Sequence, residues 1–120
     1  AERERYFDSI VAVERAGQSA AAAVAYERFL EHWPDDLGAS IGLANASYAL
    51  GHLAKVEAVL RRALEKHPES TIVINNLAHT LSEAGRSEEA LEVIERANKE
   101  GAHAEAVAET RALILKRLTR

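Results

Sequence analysis

Apolar positions along the chain recur with the spacing of a helix face, and each such stretch stops at a glycine or a proline. Tyr6, Ile10 and Val13 fall at i, i+4 and i+7, which predicts a first helix ending near Gly17. A second, over about residues 19–32, carries Val24, Tyr26, Phe29 and Leu30 and is followed by Pro34. The pattern then restarts: residues 37–50 up to Gly51, 53–66 before Pro68, 71–84 up to Gly85, and 87–99 before Gly101. A seventh helix, about residues 104–118, gathers Val107, Ile114, Leu115 and Leu118 on one side. Glycine supplies the left-handed conformation that closes a helix, and proline cannot continue one. Asp36, Ser70 and Ser87 are candidate N-caps, because their side-chain oxygens can accept bonds from orphan backbone N–H groups. One stretch conflicts with this scheme. Thr71, Ile72, Val73 and Ile74 read locally as a strand.

The breakers themselves are periodic, and the period resolves the conflict. Gly17, Gly51 and Gly85 are 34 residues apart, as are Pro34 and Pro68. In the same register Leu43 coincides with Leu77, Ala44 with Ala78, Ala22 with Ala90, Ala63 with Ala97, and Arg28 with Arg62 and Arg96. A period in this range marks an array of supersecondary units, so the β-branched run belongs to the start of a helix. The expected architecture is a single all-α domain. Its units are residues 3–36, 37–70 and 71–104, each a helix–turn–helix hairpin, with a capping helix at about 104–118.

Composition narrows the class of function. Twenty-four of the 120 residues are alanine, the strongest helix former, which favours closely packed helices. A net charge of −4 argues against a broad phosphate-binding surface, so no nucleic acid partner is expected. No cysteine is present, which removes disulfides, thiolate metal sites and thiol nucleophiles and leaves the compartment open between cytoplasm and periplasm. No apolar run reaches the roughly 18 residues of a membrane-spanning helix, so direct membrane insertion is not expected. The chain also lacks methionine, which suggests a piece of a longer protein.

The paired helices, the Leu-Ala of Leu43-Ala44 and Leu77-Ala78, the turn glycines and the two closing prolines together resemble the tetratricopeptide repeat. The text NNLAHTLSEAGRSEEALEVIERA, within residues 71–104, follows that family's pattern closely. The resemblance implies an α-solenoid in which small residues sit where helices cross, here Ala44 with Val56 and Ala63, and Ala78 with Ala90 and Ala97. Departures are Ile10 and Phe29, large where small residues are expected, and Ala102 in place of a third proline. The closing turns, Trp33-Pro34-Asp35-Asp36 and His67-Pro68-Glu69-Ser70, are similar to those of tetratricopeptide tails on bacterial papain-like cysteine peptidases.

Members of the family line an inner groove with the first helix of each hairpin. By register the lining here would be Phe7, Asp8 and Val11, then Ile41, Asn45 and Tyr48, then Asn75, Asn76, His79 and Glu83. Gly38 and Gly42 would leave the middle of that wall low and open, although packing of a neighbouring helix is the simpler account of Gly42. Asn76 stands where peptide-binding relatives often carry an asparagine, whose amide can both donate to and accept from a peptide backbone. Its alternatives are a bond to a neighbouring repeat or to water. The carboxylate-clamping subgroup needs basic residues where this chain has Phe7, Val11 and Gly42, so that subgroup is not expected.

Other chemistries find little support. His79 and Glu83, at i, i+4, could touch one metal ion but are only two ligands, and no metal or cofactor is expected. Lys55, Arg61, Arg62 and Lys66 are interleaved with Glu57 and Glu65, as on a solvated face with local ion pairs. Glu88, Glu89, Glu92 and Glu95 line one amphipathic helix, and no nucleophile–base pair or phosphate loop is present, so catalysis is not expected. Two functions remain open. One is a protein-interaction module that binds a peptide or helix in the groove. The other is an appendage that docks its own parent protein, a peptidase among the candidates, or self-associates; a monomer or weak homodimer fits either.

Overall fold

The computed structural model describes residues 1–120 and contains seven α-helices and no strand. They are α1 (Glu2–Arg15), α2 (Ser19–His32), α3 (Leu37–Ala49), α4 (Leu53–Lys66), α5 (Thr71–Glu83), α6 (Ser87–Ile94) and α7 (Ala104–Leu118). None is long and apolar enough to cross a membrane. Two compact units are present, Ala1–Val59 and Leu60–Arg120, with the boundary inside α4.

The 34-residue register of the sequence is a register of hydrogen bonds. At the end of α3 the Gly51 N–H donates to Tyr48 O (2.9 Å) and the His52 N–H to Ser47 O (3.0 Å). Gly51 holds φ +77°, where a side chain would be strained, and this paired closure is a Schellman motif. The same two bonds close α1, from Gly17 and Gln18, and α5, from Gly85 and Arg86. The proline turns repeat as well. Asp36 N–H donates to Trp33 O and Ser70 N–H to His67 O, each spanning a Pro at the second turn position. Ala104 N–H donates to Gly101 O in the third copy, so the turn forms with Ala102 in the proline's place.

Caps explain why the β-branched run is helical. Ser70 Oγ accepts from Val73 N–H at 3.3 Å and starts α5 directly at Thr71, while Asp36 Oδ1 accepts from Ala39 N–H at 2.9 Å and starts α3. Val73 and Ile74 are then buried on the packed face of α5. Ser87 departs from expectation. It is the first helical residue of α6, the N-cap position falls on Arg86, and no side chain caps this helix.

α6 itself is shorter than predicted, ending at Ile94 rather than near residue 99. Beyond it, Arg96 and Ala97 make i→i−3 bonds to Val93 and Ile94, and Asn98 Oδ1 accepts from Glu100 N–H at 3.0 Å. That side-chain bond offers the backbone a local alternative to the helical ladder, which is why asparagine favours helix ends. Ala97 nonetheless stays buried.

In the first unit the core is aromatic. Tyr6, Phe7, Tyr26, Phe29 and Trp33 form a continuous set of ring contacts, the shortest being Phe29–Trp33 at 4.6 Å between centroids. Ile10 and Phe29, large where the family has small residues, are buried within this unit's core. Tyr26 is the link between helices. Its hydroxyl donates to Glu14 Oε1 on α1 at 2.6 Å, and its ring lies against the backbone of α3 at Gly42. A Cβ on Gly42 would stand 2.3 Å from Tyr26 Cζ. Lys55 of α4 pairs with Glu27 of α2 at 3.0 Å.

In the second unit α5 and α6 pack with Ala78 and Ala90 fully buried, alongside Leu77, Leu81 and Ile94. α7 packs on both α5 and α6 through Val107, Thr110 and Ile114, while Leu115 is half-buried and Leu118 exposed. Arg117 Nη1 donates to Ser82 Oγ of α5 at 2.7 Å, and Arg111 pairs with Glu95 just past α6.

Two outcomes follow from this packing. Burial first, and then the bond to Glu14, push the Tyr26 phenol well above its ordinary range. The unfolded chain loses that proton near pH 10, so stability should hold below that pH and fall as pH rises beyond it. In an absorbance titration, one of the three tyrosines should ionise only as helix is lost, and Tyr26→Phe should remove that late step; three phenols titrating with native circular dichroism would contradict it. Truncation after Gly101 should lower the melting temperature and promote aggregation. It removes Val107 and Ile114 and bares the α5 and α6 surface they cover, each of the two side chains being worth about 1.5–3 kcal/mol when buried. A monomeric truncation product with unchanged melting would show that α7 adds nothing to the unit.

Candidate interaction surface

Within the first unit, α1 carries Phe7, Asp8 and Val11 and α3 carries Ile41, Asn45 and Tyr48; within the second, α5 carries Asn75, Asn76, His79 and Glu83. None of the ten is fully buried. The residues between them, Ile10, Leu43, Ala44, Ser47, Leu77, Ala78 and Leu81, are. Each first helix therefore buries one face and leaves the predicted stripe accessible.

Phe7 has a second role. Its ring lies 6.0 Å from Tyr26 and 5.7 Å from Phe29, so it closes the aromatic core as well as reaching the surface. Gly42 corrects the expectation of an open wall, since the space above it is filled by Tyr26. The other glycine, Gly38, is only partly covered and lies beside the Phe7 ring. With Arg3, Glu4, Phe7, Asp8, Asp36 and Leu37 it lines a shallow, mostly apolar depression of about 400 Å³. Sequence reasoning missed Arg3, Glu4, Asp36 and Leu37 here. Arg3 reaches Asp36 across 33 positions, and no helical spacing signals that pair.

The two asparagines differ. Asn75 Oδ1 is enclosed by protein with no hydrogen-bond partner. Asn76 makes no side-chain bond within the chain and has no buried polar atom, while its carbonyl accepts from the Thr80 hydroxyl at 2.8 Å. His79 Nδ1 stands 2.9 Å from Glu83 Oε1 across one helical turn, and no group of three potential metal ligands surrounds them.

Of the acidic residues on and just past α6, Glu89 and Glu95 are engaged in ion pairs. Glu89 contacts Arg86 at 2.6 Å and also Arg61 of α4. The Arg86 bond, with Arg61 second, holds its carboxyl below the usual range, and Arg111 does the same for Glu95. Lys55 and Arg61 thus pair across helices, with Glu27 and Glu89, rather than only along their own. A second open depression, about 600 Å³, is lined by Arg86, Glu88, Glu89, Glu92, Arg117 and their neighbours.

The profile of the tetratricopeptide repeat matches residues 15–73 and again 54–114. The chain belongs to the tetratricopeptide repeat family. Repeats of this family generally mediate protein–protein interaction and are typically not catalytic. The fold is similar to that of a solved MamA mutant, with a TM-score of 0.76 at 19% identity, covering 96% of this chain and 67% of that one. At that identity the likeness concerns the fold alone. A search of curated proteins gives no match. The peptidase-tail likeness of the closing turns has no counterpart in the family match or in this structural neighbour.

Proposed function

We propose that this tetratricopeptide chain is a non-catalytic interaction module that binds an extended or helical peptide segment on the accessible faces of its first helices, α1 and α3 in the first unit and α5 in the second. The observation that carries the reading is the exposure along each first helix: none of the ten register-matched positions is buried, while their neighbours on the same helices are. A helix whose accessible face mixes Ile41, Tyr48 and Asn45 offers apolar contact together with amide hydrogen bonding. On α5 the Asn76 amide is free of partners within the chain, so it can donate to and accept from a peptide backbone at no cost in internal bonds. Asp8 on α1 and Glu83 on α5 each add a carboxylate beside their own helix's accessible positions, which suits a neutral or basic segment. Such charges mainly raise the encounter rate, while the central contacts carry affinity.

Asn76→Ala should weaken capture of peptides selected from a random library by about 1–3 kcal/mol, the cost of leaving a buried backbone group unpaired, with melting unchanged. Arg62→Ala, at an exposed position on α4, should leave capture unaltered. Loss with Arg62→Ala but not with Asn76→Ala would move the site off the first helices and favour an appendage that docks elsewhere.

A further inference from the structure

The excess negative charge of the chain is carried entirely by its first unit. Residues 1–59 hold nine Asp and Glu against five Lys and Arg, a formal charge of −4, and residues 60–120 hold ten of each. Within that unit the depression beside α1 and the start of α3 has three carboxylates on its rim, Glu4, Asp8 and Asp36, against one cation, Arg3. Asp36 and Arg3 are committed to each other, and Asp36 also caps α3 through Ala39 N–H. Glu4 and Asp8 are different. They stand one turn apart on the same side of α1, both are exposed, and Asp8 has no partner within the chain. Glu4 has only the amino terminus of Ala1, at 3.6 Å.

The floor is apolar and owes its depth to a missing side chain. A Cβ on Gly38 would lie 3.2 Å from Phe7 Cζ and 3.4 Å from Asp36 Oδ1, filling the space between the ring and the cap. An apolar floor with an aromatic ring and an unneutralised acidic rim calls for a side chain with a long methylene stem and a cationic head. The positive end of the α3 dipole opposes a cation directly over Gly38, so the head belongs on the α1 side.

We propose that this depression is a subsite for an arginine side chain of the peptide partner. Its methylenes lie over Leu37 and Gly38, and its guanidinium stacks on the accessible part of the Phe7 ring and bonds Asp8 and Glu4. A planar guanidinium stacks and forks where an ammonium cannot, so arginine is favoured over lysine. The proposal rests on the peptide-binding reading above for the identity of its partner, but the subsite needs only α1 and α3.

The test uses the full chain, labelled for amide-resolved NMR, titrated with N-acetyl-arginine-methylamide and with its citrulline and lysine counterparts. Saturable shifts should centre on the amides of Phe7, Asp8, Leu37 and Gly38. The uncharged citrulline probe should bind about tenfold more weakly, Asp8→Asn should cost a similar factor, and lysine should fall between. Gly38→Ala should abolish the shifts, and the exposed Asp8→Asn probes the same subsite without risk to folding. Shifts centred elsewhere, equal binding of arginine and citrulline, or indifference to both substitutions would overturn the subsite. Arginine binding here, with library capture insensitive to Asn76→Ala, would sink the wider peptide reading and leave the subsite standing; the converse result would do the opposite.

Discussion

The first unit is organised by one close approach: the ring of Tyr26 lies on the bare backbone of α3 at Gly42, where any Cβ would overlap it. A ring held that tightly fixes the spacing of α2 and α3. Through the bond from its hydroxyl to Glu14 it also ties both to α1. Phe7 then packs against Tyr26 and Phe29 and over Gly38, which sets where α1 and the start of α3 meet. The Arg3–Asp36 pair and the Asp36 cap hold that meeting point at its charged end. The acidic, apolar-floored depression is therefore a by-product of core packing that remains open to solvent.

The repeat register shows what this packing does to the surface. Tyr26 corresponds to Leu60, and Gly42 to Asn76 and Asp8. Where α2 carries a large ring, the facing position on α3 has no side chain and is buried. Where α4 carries leucine, the α5 position holds an amide that reaches the surface. One register position thus yields Asp8, Gly42 and Asn76, of which the outer two are available to a partner and the middle one is taken up by packing. Volume in the core and chemistry on the surface are traded at the same site, consistent with interiors packed to crystal-like density.

Much of the fold was legible in the sequence because its cause is local and periodic. The glycines 34 residues apart predict three identical helix closures, and Ser70 outweighs the β-branched Thr71, Ile72, Val73 and Ile74 once the register is recognised. The early end of α6 was not legible, since the backbone turns to i→i−3 bonds at Arg96 and Ala97 where the register predicts that the ladder should continue. Nor was the ring on Gly42 visible in spacing: glycine within a helix signals a close approach without naming what approaches. The accessible positions on α1, α3 and α5 were reached through the family resemblance, carried across by register. The depression at Gly38 was not, because its rim joins residues from α1 and α3 through a contact between distant positions.

A double-mutant cycle between Tyr26→Leu and Gly42→Ala, followed by denaturant unfolding, tests the organising role of this approach most directly. Leucine is what the register places at the equivalent position, so the variant is suited to its site. With Tyr26 present, Gly42→Ala should destabilise the chain by about 1–3 kcal/mol through overpacking. With Tyr26→Leu the same substitution should become stabilising, by up to about 1 kcal/mol, because alanine is the better helix former and the ring is gone. An effect of the same sign and size in both backgrounds would contradict the account.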